Sequence, residues 1–363
     1  FSQDKEDTWR DSVDREVLMT RQSVGICDVS TLGKIDIQGK DAGKFLNKIY
    51  INTFSTLKVG KCRYGLMLRE DGIAMDDGTS ARLSDTHYIM TTTTAKAGSV
   101  YSHLEFCRQV LFPNLDIHII STTEQWAQFS IAGPNARNLL CKIIDPNFNI
   151  SNETFPYMAC AEITICSGIR ARIFRLSFSG ELAYEISVPS RYGDALIREL
   201  MSAGKEFNAT MYGTEALGVM RIEKGHAAGN ELDGRNTAVN LGLSGLMAKK
   251  KDYIGKTLSS REKLSGNKTM VGFLSVNPSD KLTSGSHFMN TDDKILPEND
   301  QGHMSSVAYS PILERYIGIG FLKNGKDRYN ETLKAIDFLQ NNHVEVKVVS
   351  PHFIDPNGDR LRA

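Results

Sequence analysis

Two acidic side chains stand together at Asp76-Asp77, directly after the apolar triplet Ile73-Ala74-Met75 and before Gly78. With no nucleotide, elbow or kinase motif in the chain, the residues able to do chemistry are to be sought among its carboxylates. At a strand end successive side chains point to opposite faces, so only one of the two can enter a given pocket. On spacing alone the same pair also reads as a solvated turn. Glu185 is the second candidate. In Ala183-Tyr184-Glu185-Ile186-Ser187-Val188, Tyr184, Ile186 and Val188 share one face and Glu185 and Ser187 the other, which by pattern alone is a solvent-facing glutamate.

Other chemistries find less support. Gly318-Ile319-Gly320 starts like a dinucleotide loop, but the third glycine position is Lys323 and no long helix follows, as that fingerprint requires. No phosphate-binding lysine loop, Gly-x-Ser-x-Gly elbow or kinase signature is present. Six cysteines (Cys27, Cys62, Cys107, Cys141, Cys160, Cys166) include no CxxC pair. They read as reduced thiols of a cytoplasmic protein. The eight histidines are scattered, with none of the spacings that argue for a bound metal. Lys+Arg and Asp+Glu both total 43, for a net charge of zero, so nothing favours nucleic acid or an anionic membrane as partner. A chain of 363 residues with 40% hydrophobic and 24% charged residues is globular in composition, with room for two or three domains. No uncharged stretch is long enough to span a membrane.

The elements that must position these residues are legible in outline. Residues 3–22 place Trp9, Val13, Val17 and Leu18 at helical spacing, predicting an N-terminal amphipathic helix. Lys34–Gly39 alternates as a strand, and 40–46 opens a short helix. Arg69-Glu70-Asp71-Gly72 between Leu66-Met67-Leu68 and Ile73-Ala74-Met75 predicts a hairpin. Strands are expected over 87–92, 126–132 and 169–176, and helices near 95–110, 134–142, 191–206 and 213–225. A Gly/Asn-rich loop spans 228–236, then a helix and a Lys-rich connector are expected. From Thr269 onward short strands predominate, with Val344–Val349 alternating. The absence of a repeated βαβ unit favours an α+β fold.

Several segments together resemble the folate-binding aminomethyltransferases, the family of the glycine cleavage T-protein. They are Gly25–Ser30, Gly72–Asp77, Ala132-Gly133-Pro134, Gly180–Ile186, Arg221–Gly225, Tyr309-Ser310-Pro311 and Ile317–Gly320, in family order over nearly the whole chain. Within the family, Arg63–Gly72, Met90–Thr94, Thr123–Trp126 and Ser350–Pro356 are most similar to the C-terminal region of the α subunit of heterotetrameric sarcosine oxidase. Dinucleotide-binding domains precede this region in that subunit, so the Phe at position 1 fits a fragment.

The resemblance implies a three-domain cloverleaf around a folate channel. Residues 1–48 with 122–245 would form a folate-binding domain, 49–121 a second domain completing the channel, 246–268 a connector, and 269–363 a β-barrel or jelly-roll-like domain. It implies a catalytic and folate-binding role for Asp77 and a pterin-holding role for Glu185 with Tyr184 beside it, and alternation at the strand end then leaves Asp76 a structural one. Bidentate acceptance of the pterin's paired donors by one carboxylate is sound chemistry. The implied activity is transfer of a one-carbon unit from oxidised sarcosine to tetrahydrofolate, giving 5,10-methylenetetrahydrofolate. Flavoprotein subunits would supply the oxidation, and neither flavin nor metal is expected on this chain. A stand-alone aminomethyltransferase or demethylase, or a non-catalytic folate-binding module, are the alternatives. Leu217 stands where T-proteins have an arginine, and their C-terminal folate-pocket tyrosine has no match near Phe353.

Overall fold

The computed structural model describes residues 1–261 and 263–363. Two antiparallel-rich sheets and a closed six-stranded barrel, with helices on the sheets' outer faces, make an α+β architecture. The first sheet runs Thr210–Met211, Gly25–Asp28, Trp126–Ala132, Ala183–Pro189, Ile169–Phe174 and Cys160–Ile165 across its width. The second runs Lys61–Leu68, Ala74–Ser84, His87–Thr92, Gly33–Gln38 and His118–Ser121. Lys268–Ser275 pairs with both Arg315–Lys323 and Asn342–Val349, which closes the barrel. The C-terminal unit is thus a barrel rather than a jelly roll.

Alternation explains which faces carry helices. In the first sheet Tyr184, Ile186 and Ile131 point to the side packed by Leu196, Leu200, Leu139 and Leu140 of the helices Gly193–Ala203 and Ala136–Leu140. In the second, Ile35, Ile37 and Met90 bury against Phe45, Leu46, Val100 and Leu104 of Ala42–Ile49 and Ala97–Phe106. The remaining faces meet each other. Cys62, Ala81 and Ile89 of the second sheet pack on Cys160 and Phe174 of the first, and a 3.5 Å Arg172–Asp36 ion pair crosses the same seam.

The chain leaves the first sheet earlier than residue 49. Gly33–Gln38 pairs with His87–Thr92 and His118–Ser121, so this strand and the helix after it belong to the second unit. Local alternation identifies a strand but not the sheet that receives it. The N-terminal helix spans Trp9–Gln22, capped by Thr8 with Asp11 completing a capping box. The helix expected after the 228–236 loop is reduced to single turns at Ser244–Leu246 and Lys256–Ser259. Among the described residues no helix is long and apolar enough to cross a membrane.

Two local features aim the site. In the hairpin closed by Arg69–Gly72, Leu68 pairs with Ala74 but Met67 pairs with Asp76, leaving Met75 as a one-residue bulge directly before the acidic pair. Bulges of this kind redirect the side chains that follow. The helix Thr214–Lys224 ends at Gly225, whose φ of 76° only glycine adopts freely. A Cβ there would meet the Pro351 carbonyl oxygen at 2.2 Å.

Candidate active site

A cavity of about 640 Å³ lies where the two sheets and the barrel meet, within the usual range for small-molecule sites. Asp77 and Tyr64 enter it from the second sheet, Glu185 from the first, His226 from the loop after the helix, and Lys326 and Tyr329 from the barrel.

The pairing of Asp76 with Met67 and Asp77 with Leu66 puts the two acids on opposite faces of their strand. Asp77 lines the cavity, and its Oδ2 accepts the Tyr64 hydroxyl at 2.8 Å. Burial pushes its carboxyl up to about 6, with the Tyr64 hydrogen bond opposing that shift. Asp76 is fully buried on the other side. Its Oδ2 accepts the Thr93 N–H at 3.1 Å, and it too is pushed up to about 6, first by burial and further by the charge of Asp77.

Glu185 faces the cavity because the face that pattern alone assigns to solvent is covered by the second sheet and the barrel. Gln128 donates to its Oε2 at 2.5 Å, and the Ser187 hydroxyl donates to Gln128 Oε1 at 2.9 Å. Burial raises the Glu185 carboxyl to about 7 against the lowering effects of the Gln128 hydrogen bond and of Lys34. Lys34 is itself pushed down to about 8 by burial. A buried carboxylate with one oxygen engaged is an open acceptor for a donor pair.

Tyr184 does not join them. Its ring lies in the first sheet's core with Phe155, and its hydroxyl takes the Arg137 guanidinium at 3.0 Å. The alternation that sends Glu185 into the cavity sends Tyr184 away from it. Leu217 packs with Val13, Val17 and Val219 instead of lining the cavity. Tyr64 and His226 line the cavity and Gln128 is buried behind Glu185; the sequence reading did not single them out for roles. Tyr64 could have been found by counting back from the hairpin turn. His226 carries no local signal, because the helix stop at Gly225 and the approach of Pro351 together bring it in.

His226 Nε2 lies 3.9 Å from Asp77 Oδ2. Burial, with Arg221 and Lys224 as neighbours, drives the imidazole down to about 4, so it is neutral at pH 7. The cavity therefore holds two carboxyls whose proton affinity is raised toward neutrality, one with a hydroxyl donor and a neutral imidazole beside it. Such a site can accept hydrogen bonds from a heterocycle at Glu185 and take up a proton at Asp77.

Comparison with known proteins places the chain. The family model for the GCVT N-terminal domain matches residues 1–251, and that for the glycine cleavage T-protein C-terminal barrel domain matches 268–355. The sarcosine oxidase subunit alpha of Rhizobium meliloti (strain 1021) is 45% identical over 99% of this chain, and that of Corynebacterium sp. (strain P-1) is 40% identical over 99%. The chain spans 37% of the length of each. The aminomethyltransferase of Chloroherpeton thalassium is 26% identical over 93% of this chain and 89% of its own length. In fold, the crystal structure of the glycine cleavage system aminomethyltransferase T from Bartonella henselae superposes with a TM-score of 0.81 at 20% identity, covering 95% of this chain and 90% of that one. Both family models matching in order over nearly all of its length, the chain belongs to the glycine cleavage T-protein family of aminomethyltransferases.

Proposed function

We propose that this chain transfers a one-carbon unit from an oxidised N-methyl amine, sarcosine for preference, to tetrahydrofolate, yielding 5,10-methylenetetrahydrofolate. The observation that carries this reading is the meeting of Asp77 and Glu185, from two different sheets, in one cavity with raised proton affinity at both. The cavity's size and its unshared Glu185 acceptor capacity fit a pterin, whose ring N–H and exocyclic amine sit side by side. Tetrahydrofolate would supply the nitrogen nucleophiles that take the carbon.

This chain's residues do the rest. Glu185, braced by Gln128, accepts the pterin donors and fixes the ring's orientation. Asp77, held by Tyr64, orients the reacting nitrogens and accepts the proton released as the carbon is captured, at an affinity suited to a base near neutral pH. Identity of 45% to a sarcosine oxidase subunit alpha, against 26% to an aminomethyltransferase, supports an amine-oxidation donor over a carrier-bound aminomethyl group. The oxidation needs a redox cofactor, which we assign to flavoprotein subunits or domains outside this sequence.

The test supplies the chain with tetrahydrofolate and either formaldehyde or sarcosine plus a sarcosine-oxidising flavoprotein. Formation of 5,10-methylenetetrahydrofolate above the uncatalysed rate, lost in Asp77→Asn, is the expected result. No acceleration with either donor overturns the proposal. Sarcosine turnover by this chain with no flavoprotein overturns the assignment of partners.

A further inference from the structure

We propose that His226 is a positioning residue for Asp77: its imidazole N–H, directly or through one water, is the second donor on Asp77 Oδ2 beside the Tyr64 hydroxyl. This rests on the reading of Asp77 as the proton acceptor, but the contact itself is testable without it.

The geometry makes the pair. Nε2 stands 3.9 Å from Oδ2, too long for a direct hydrogen bond but suited to closure by a small ring rotation or by a bridging water. The ring is walled edge-on by Tyr64, at 5.8 Å between centroids and 68°, and by Phe178, at 4.9 Å and 72°. Tyr64 therefore touches both members, donating to Asp77 and packing on His226. The His226 backbone is pinned. Its N–H donates to the Arg221 carbonyl at 2.9 Å, and its carbonyl accepts the Arg221 guanidinium at 3.2 Å. Arg221 is in turn held by Glu231 and the Ser306 hydroxyl, each at 2.8 Å. A histidine fixed this firmly, lining a cavity, has a defined direction to offer.

Charge decides what it offers. Asp77 is faced by Tyr64 from the neighbouring strand, while Asp76 on the opposite face of its own strand is engaged by the Thr93 N–H. The imidazole is faced by Arg221 and Lys224 from the helix, by Glu231 and by His352. Glu231 opposes the two cations but is spent on Arg221, and the balance with burial keeps the imidazole neutral. A neutral imidazole has one N–H to donate. It steadies the ionised carboxylate without bringing the full positive charge that would strip Asp77 of its basicity.

The test is a carbon-13 NMR titration of the Asp77 side-chain carboxyl in the full chain, assigned by Asp77→Asn. His226→Phe keeps the ring between Tyr64 and Phe178 but removes both nitrogens, and His226→Gln restores an N–H donor. The Asp77 midpoint should rise by about one pKa unit in His226→Phe, the usual scale for losing a donor to the charged form, and return most of the way in His226→Gln. The acid limb of the transfer rate should move with it. An Asp77 midpoint in His226→Phe within about 0.2 unit of wild type overturns the proposal. Should His226→Phe not fold, the nitrogen-15 shifts of His226 decide in its place: they change on Asp77→Asn if the contact exists and are unmoved if it does not. If Asp77→Asn leaves transfer intact, the proposed catalytic role of Asp77 falls, while the titration still reports on the His226 contact.

Discussion

The Tyr64 hydroxyl donates to Asp77 Oδ2 at 2.8 Å across a hairpin that separates the two by 13 residues. Leu66 is the residue opposite Asp77, so Tyr64 reaches it diagonally from two positions along the same face. The bulge at Met75 sets that register. Shifted by one residue, Asp76 would face Tyr64 and Asp77 would be buried.

Asp77→Asn should leave tetrahydrofolate affinity within a few-fold of wild type and slow one-carbon transfer by roughly 10²–10⁴, the range for a lost positioned base. Asp76→Asn should be much milder, since an amide oxygen can still accept the Thr93 N–H. Rates of methylenetetrahydrofolate formation in the two variants check this, and the reverse ranking would mean that the wrong acid has been assigned.

Glu185→Gln should weaken tetrahydrofolate binding by roughly 2–4 kcal/mol, because it removes a charge-assisted acceptor and turns an N–H toward the pterin's own N–H. With the Glu185 carboxyl raised to about 7, the ionised acceptor is lost as pH falls through 7. Wild-type affinity should therefore decline on acidification, and the Gln variant should be flat over the same range. Calorimetry at pH 6 and pH 8 reads both.

Stability should carry the opposite pH sign. Asp76, Asp77 and Glu185 all have folded-state affinities raised above their ordinary 3.8, 3.8 and 4.5. Between those values and about 6 to 7 the folded chain holds protons that the unfolded chain has released. Their contribution to stability therefore falls as pH rises through that window. Asp77→Asn removes one such penalty, on the order of 3 kcal/mol. Its melting temperature should exceed that of wild type at pH 8, and the difference should close by pH 4. A constant difference across pH would show that Asp77 is not desolvated.

The buried Arg21 should be among the costliest positions to truncate. Its Nε donates to Glu223 at 2.7 Å and its Nη1 to Glu181 at 2.6 Å, joining the N-terminal helix to the helix Thr214–Lys224 and to the loop before Ala183. Arg21→Ala leaves Glu223, fully buried, without its cation. A loss of about 3–5 kcal/mol follows for breaking one side of a buried ion pair, measurable by urea unfolding.

Much of this site was legible in the sequence, and the misses share a cause. Alternation over 183–188 divides Tyr184 from Glu185 correctly, yet it cannot say which face another unit will cover, so the cavity residue reads as the solvent one. For the same reason Tyr184, adjacent to Glu185 in sequence, is on the far side of the sheet. Hairpin signal and strand parity say that only one of Asp76 and Asp77 can enter a pocket, and the choice of Asp77 rests on the family resemblance, whereas His226 depends on Gly225 and Pro351, 126 residues apart, coming within touching distance. The strand at Gly33–Gln38 was recognised as a strand but its sheet was not, because partner choice is a long-range matter.

The segment from Ser350 to Leu361 returns from the barrel to the first sheet. Phe353 and Ile354 donate their backbone N–H groups to the Glu223 carbonyl at 3.0 and 3.1 Å, Arg360 reaches Glu181 at 2.8 Å, and Ser350, Pro351, His352 and Leu361 wall the cavity. These residues leave the ribosome after every other part of that wall. While the chain is being made, both sheets and most of the barrel can assemble with the cavity still open along one side and Glu223 and Glu181 lacking these partners. Vectorial synthesis thus leaves one wall of the cavity to be added last, and closure of the site is a late step in the making of the chain.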